Sequence, residues 1–166
     1  MSIYINGQHS RNVTLKYLYD VFRNLGNNHI LINTTTIGDI FEVDLVETTY
    51  PLFHIATDNA QFDTHQLTYN FQLILMDLVS KDESNEEYVL TDMLEVIGDI
   101  ISQFKNSDFA TSVRGDERNE IRIQDSITCE PFTERFDNEV TGWTANIAIT
   151  VAFDASACAN VIPLAE

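Results

Sequence analysis

Four side chains of metal-ligating type fall in one short stretch: His54, Asp58, Asp63 and His65. Imidazole and carboxylate hold zinc or iron when three or four of them converge. Their spacing here is irregular, and neither HExxH nor CxxC accompanies them. The stretch reads instead as a short apolar strand, Pro51 to Ala56, carrying His54, followed by a polar loop from Thr57 to His65. Nucleophilic chemistry would need a cysteine met in space by a base. Cys129 lies on the apolar phase of a strand, and Cys158 lies in a small-residue tail. A Gly-rich phosphate loop and a GxSxG elbow are both absent from the sequence. The expectation is a protein with no catalytic, cofactor or metal site.

The elements around these residues are legible from periodicity. Leu15, Leu18, Phe22 and Leu25 form a stripe over Val13 to Leu25, and Gly26 is placed to end that helix. Ile30 to Ile32 suggests a short strand, and Ile37 to Val46 alternates with Ile37, Phe41, Val43 and Leu45 on one face. Leu67 to Val79 is the longest strand of the first half. It begins one-sided, with Leu67, Tyr69, Phe71 and Leu73 facing one way. It ends two-sided, through Ile74, Leu75, Met76 and Leu78. That end needs a second cover, either a helix of the same chain or a neighbouring subunit. Ser84 and Glu87 have capping-box spacing, which starts a helix near Asn85 that runs to about Phe104. Its apolar stripe, from Val89 to Phe104, is wider than a surface helix needs. Asp92, Glu95 and Asp99 line the opposite side, as a solvated face or as an acidic wall of a channel.

The stretch from Thr128 to Phe153 organises the second half. Trp143, Ala145, Ile147, Ile149, Val151 and Phe153 alternate with smaller and more polar residues, which marks a half-covered strand. Asp137, Asn138, Glu139 and Gly142 supply turn chemistry before it. In the incoming strand Ile121, Ile123, Ile127 and Cys129 occupy odd positions, whereas Phe132 and Phe136 occupy even ones. A bulge or bend at Pro131 would account for that change of phase. Arg135 between Phe132 and Phe136 suits a packed interface, or a local cation–π contact or ion pair with Glu134 or Asp137. Ser107 to Glu120, with Arg114 and Arg118, reads as a polar loop, and Ala155 to Glu166 as a tail that either frays or pairs with a neighbour's sheet edge. The order predicts one domain, 1–166, of α+β class: an antiparallel sheet, helices on one face and a long C-terminal hairpin.

The chain has 166 residues, with 26 acidic against 9 basic, and a net charge of −17. Such a charge repels nucleic-acid phosphates, so a DNA-gripping role is not expected. The N-terminus lacks a basic region followed by an apolar run, and no run approaches the length of a membrane span. The sequons at Asn12 and Asn33 and the Arg114-Gly115-Asp116 tripeptide therefore carry no functional reading. A third class open to so acidic a chain is a charge mimic of DNA that binds a basic partner.

The hairpin wording from Glu130 to Val151, EPFTERFDNEVTGWTANIAITV, resembles a segment of tailed-bacteriophage tail-terminator and tail-completion (neck) proteins. The layout of helix, central sheet, helix and late hairpin is similar over most of the chain. The resemblance implies a structural virion subunit, assembled in the host cytoplasm, that closes into a ring, typically a homohexamer. Such a ring meets tail-tube and connector proteins at the head–tail junction, and DNA passes through it without being specifically bound. It implies no enzyme, cofactor or membrane. A neck or collar ring of a short-tailed phage is the alternative nearest to it, and a metal-binding enzyme using the His54 cluster is a more distant one. Under the ring reading, Phe132, Arg135, Phe136, Trp143, Leu75 and Met76 would form subunit interfaces. Asp92, Glu95 and Asp99 would face the lumen.

Overall fold

The computed structural model describes residues 13–44, 47–106, 121–135 and 139–153, with backbone alone for 134 and 135. Phe136, the 107–120 stretch, Cys158 and the tail lie outside the described residues. The fold is α+β. Helix α1 (Leu15–Asn28) leads to strand β1 (Thr34–Ile37) and a 3-10 turn (Ile40–Glu42). Strands β2 (Leu52–Phe62) and β3 (Gln66–Leu78) follow, then helix α2 (Glu86–Lys105) and strands β4 (Arg122–Ile123), β5 (Cys129–Arg135) and β6 (Glu139–Ala152). The sheet order is β1-β2-β3-β6, with β4 and β5 both pairing with β6. Every pairing is antiparallel except β1 with β2, so the sheet is mixed and not the antiparallel one expected.

Alternation decides what each sheet face meets. Leu67, Tyr69, Phe71, Leu73 and Leu75 of β3 share the main core with Ala145, Ile147, Ile149 and Val151 of β6. The apolar stripes of α1 and α2 enter the same core. Phe22 of α1 sits at its centre, with its ring 5.1 Å from that of Phe71, 6.4 Å from that of Phe53 and 5.3 Å from that of Phe104 of α2. Edge-to-face packing of this kind adds to the area each ring buries. Thr14 caps α1 by accepting from the Tyr17 amide. The helix does not stop at Gly26. It runs on to Asn28, and Gly26 is buried where a Cβ would lie 2.1 Å from Thr35 Oγ1. The glycine thus serves the close approach of β1.

The start of α2 falls where the sequence places it, by other contacts. Asn85 makes no side-chain bond to the helix. Its Oδ1 accepts from the Ser80 amide, and the Ser84 hydroxyl donates to Asp82, so the expected capping box does not form. Two strand expectations also change. The polar stretch after Ala56 is not a loop, because β2 continues to Phe62 and only a tight turn separates it from β3. The alternating stretch at Ile37 ends as β1, and Ile40–Glu42 turns as a 3-10 helix with Asp39 capping Phe41.

The single-residue change of phase occurs in β2, not at Pro131. The β2–β3 register shifts between Thr57 and Asn59, leaving Asp58 as the extra residue of a bulge. The register of β5 on β6 runs unbroken through Pro131. Cys129 and Phe132 differ in phase because both sheet faces are apolar at that end. Cys129 packs on the main core, and Phe132 packs on a second cluster across the sheet.

Candidate functional site

The metal-ligand cluster is dispersed. His54 is fully buried, and both ring nitrogens are engaged within the chain. Nε2 lies 2.9 Å from the Gly38 carbonyl, which can only accept, so this nitrogen carries the hydrogen. The Thr36 hydroxyl, 2.7 Å from Nδ1, then donates to it. Burial holds the imidazole pKa below its ordinary range, although the Gly38 carbonyl and Asp39 oppose that shift. Asp58 sits in the bulge, about 13 Å further along the strand. Asp63 and His65 lie in the β2–β3 turn, roughly 25 Å from His54. Among the described residues no three His, Cys, Asp or Glu side chains are placed to hold a metal. Burial likewise raises the Cys129 thiol pKa, which keeps it a poor nucleophile at neutral pH.

Several residues expected at subunit interfaces are spent inside the chain. Leu75 is fully buried in the main core, and Met76 is 3% exposed in the second cluster. At the two-sided end of β3 the chain itself covers Ile74, Leu75 and Met76, whereas Leu78 stays 42% exposed. Tyr50, Leu52, Ile74, Met76 and Val140 form the buried part of that cluster, with Ile40 and Val43 of the 3-10 ridge packed against it. Phe132 is half-buried against the same cluster. Trp143 packs against the main core, and its indole N–H donates to the Leu90 carbonyl of α2 at 2.7 Å. The Arg135 side chain and Phe136 lie outside the described residues. Thus Leu75 and Met76 are buried within the chain, and Trp143 is half-buried against its core.

The acidic row is exposed on α2, but it is not uniform. Asp92 and Glu95 face solvent. Asp99 accepts from His29 Nε2 at 2.9 Å, which ties the end of α1 to α2. The Leu31 amide donates to His29 Nδ1, so the ring hydrogen belongs on Nε2 and points at Asp99. Asp77 at the end of β3 has its pKa raised by burial, against the lowering effect of the Leu78 amide; the charge of Asp92 adds a smaller upward push.

Large apolar side chains remain on the surface at places the sequence did not single out. Phe41 on the 3-10 ridge is 93% exposed, Ile30 after α1 is 92% exposed, and Tyr88 in α2 is 74% exposed. Phe62 at the end of β2 is 65% exposed and packs edge-on against Phe153 at 5.1 Å. In sequence Phe41 joins an alternating series that suggests a core position; its true setting follows from the 3-10 turn. On the sheet face opposite Phe71 and Ile147, the middle rows of β2, β3 and β6 carry Thr, Asn, Gln and Ala, most of those on β3 and β6 half-buried. No described helix is long and apolar enough to cross a membrane. No family model matches the chain, and no curated protein matches its sequence.

Proposed function

We propose that the chain is a structural subunit that assembles with copies of itself into a ring of the tail-terminator or tail-completion kind. The observation that carries this reading is the set of large apolar side chains left uncovered on a chain of net charge −17. Phe41, Tyr88 and Phe62 belong to three different elements, and Ile30 lies in the turn after α1. Unlike patches on separate sides of a subunit suit head-to-tail contacts, which close into rings when the rotation permits. The resemblance of Glu130 to Val151 to tail-terminator and neck proteins gives the ring its place, at the junction of head and tail. In that setting Asp92 and Glu95 would present carboxylates to passing DNA and repel it. The contacts between subunits are assigned to the exposed residues above, in place of the buried Leu75 and Met76.

The test is native mass spectrometry with negative-stain microscopy, on the chain alone and mixed with a tail-tube protein. Rings, with six copies the expected number, support the reading. Monomers in both samples overturn it.

A further inference from the structure

We propose that the open outer edge of β2, residues 57–62, is the docking site of a segment of this same chain, residues 2–6, which adds to it as a further strand. The inference does not rest on the ring reading. Its ground is a bare sheet edge. β1 pairs with β2 from Leu52 to Ile55, and the Gly38 amide donates to the Ile55 carbonyl. Beyond Ile55, nothing among the described residues pairs with β2 on that side, and Thr57, Asp58, Asn59, Ala60, Gln61 and Phe62 are all exposed. The Asp63 amide donates to the Gln66 carbonyl across the hairpin. By alternation Asn59 and Gln61 also bond towards β3, so the N–H and C=O groups of Ala60 and Phe62 point out of the sheet. Such a row of groups is a template for another strand.

Charge, pattern and reach name the occupant. Asp58 lies on this edge and Asp63 at its end, whereas the 26 acidic residues of the chain begin only at Asp20. Residues 1–12, which lie outside the described residues, carry Arg11 and no carboxylate. The β2 edge of a second copy suits the site less well. Antiparallel pairing of two such edges about Ala60 brings Asp63 of each copy towards Asp39 of the other, which follows the Gly38 bonded to Ile55. Ser2, Tyr4 and Asn6 alternate with Ile3 and Ile5, a strand pattern that Gly7 closes. An antiparallel ladder, the stabler kind, sets Ile3 opposite Phe62 and Ile5 opposite Ala60. Both isoleucines then lie on the helix side of the sheet, where Ala60 and Phe62 flank the buried Tyr69 and Leu67 yet stay exposed. The link to the segment is anchored beside this edge. Val13 is buried, and its carbonyl accepts from the hydroxyl of Tyr69, the register partner of Ala60, at 2.9 Å. The far side of β2 lies about 10 Å across the sheet from β3, and residues 7–12 extend to about 20 Å. So short a link gives the segment a high effective concentration at its own edge. With Phe62 shielded in this way, Phe41, Ile30 and Tyr88 remain for contacts between copies.

Hydrogen exchange and isotope-filtered NMR on the full chain test this. In the wild type the amides of Ile3, Ile5, Ala60 and Phe62 are expected to exchange at least about tenfold more slowly than in a free chain. The double variant Ile3→Asp with Ile5→Asp sets carboxylates beside Asp58 and Asp63 and releases the segment. Exchange at Ala60 and Phe62 then quickens by about tenfold or more, while the amides that bond β3 to β6 keep their rates and show that the fold is intact. In a mixture of labelled and unlabelled chains, methyl contacts of Ile3 and Ile5 with the Phe62 ring are expected within single labelled chains. Free-chain exchange at Ile3 and Ile5 in the wild type overturns the proposal. So does a double variant whose Ala60 and Phe62 amides exchange as before. Contacts seen solely between labelled and unlabelled copies overturn it too, and give the edge to a second copy. None of these readouts depends on whether rings form, so failure here and failure of the ring reading are distinguishable.

Discussion

At His54 the ring is buried among its own chain's groups, with Nε2–H on Gly38 and Thr36 on Nδ1. Its pKa is depressed, chiefly by burial. In the unfolded chain the same imidazole takes up a proton near pH 6.5. The unfolded state therefore binds more protons than the folded state between that pH and the lower folded pKa. The contribution of neutral His54 to stability is complete above about pH 6.5, and it is lost as pH falls toward the folded value. His54→Gln removes this dependence while keeping a hydrogen-bonding side chain. Urea midpoints of the two proteins, measured from about pH 7.5 to about pH 5, should differ most at the top of the range and converge toward the bottom. A gap that stays constant would contradict the neutral buried state.

Among the elements, β4 and β5 show how a broken strand is kept on its neighbour. Ile123 pairs with Ile149 and Cys129 with Ala145, so Gln124 to Thr128 lies opposite the shorter stretch Asn146 to Ala148. The backbone cannot follow the ladder across that mismatch. The Gln124 side chain does so in its place: its amide nitrogen donates to the Asn146 carbonyl at 3.0 Å, and its oxygen accepts from the Ala148 amide at 2.7 Å. Gln124→Ala leaves both backbone groups without these partners. The expected loss is roughly 1 kcal/mol or somewhat more. Hydrogen exchange should quicken at the Ala148 amide and not at the amides that bond β3 to β6 along their long ladder. Unchanged exchange at Ala148 would mean that water replaces the glutamine without cost. The 3-10 ridge is another such device, since Ile40 and Val43 pack over Ile74 and Met76 near the end of β3.

On the scale of the whole molecule, charge dominates. A net charge of −17 on 166 residues sets carboxylates against one another over most of the surface. The described ion pairs relieve little of it. Lys16 and Arg23 share Asp20 on the surface of α1, where such pairs are worth little. Screening should therefore stabilise the fold. Raising sodium chloride from about 20 mM to about 300 mM shortens the range of repulsion well below the size of the domain. A rise in melting temperature of about 3 °C is expected, equivalent to roughly 1 kcal/mol for a chain of this length. A fall in melting temperature would mean that attractive pairs outweigh repulsion. Self-association should also strengthen with salt, for the same reason.

Long, strictly periodic stretches were legible in the sequence. Leu67 to Val79 and Trp143 to Phe153 announce strands, and the stripes of α1 and α2 announce helices, because repeats of two and of 3.6 are local properties of a chain. The α+β class follows from them, and the acidic balance bears directly on which partners the surface repels. Tertiary structure alone decided the rest. That β1 lies parallel to β2, that Asp58 forms the bulge, and that His54 is buried between Thr36 and Gly38 all depend on groups brought from elsewhere in the chain. Likewise Met76 is covered and Phe41 uncovered because the segment after β1 folds over one end of the sheet. Burial is settled by what packs against a side chain, and an apolar residue carries no mark of whether its cover comes from its own chain or from a copy.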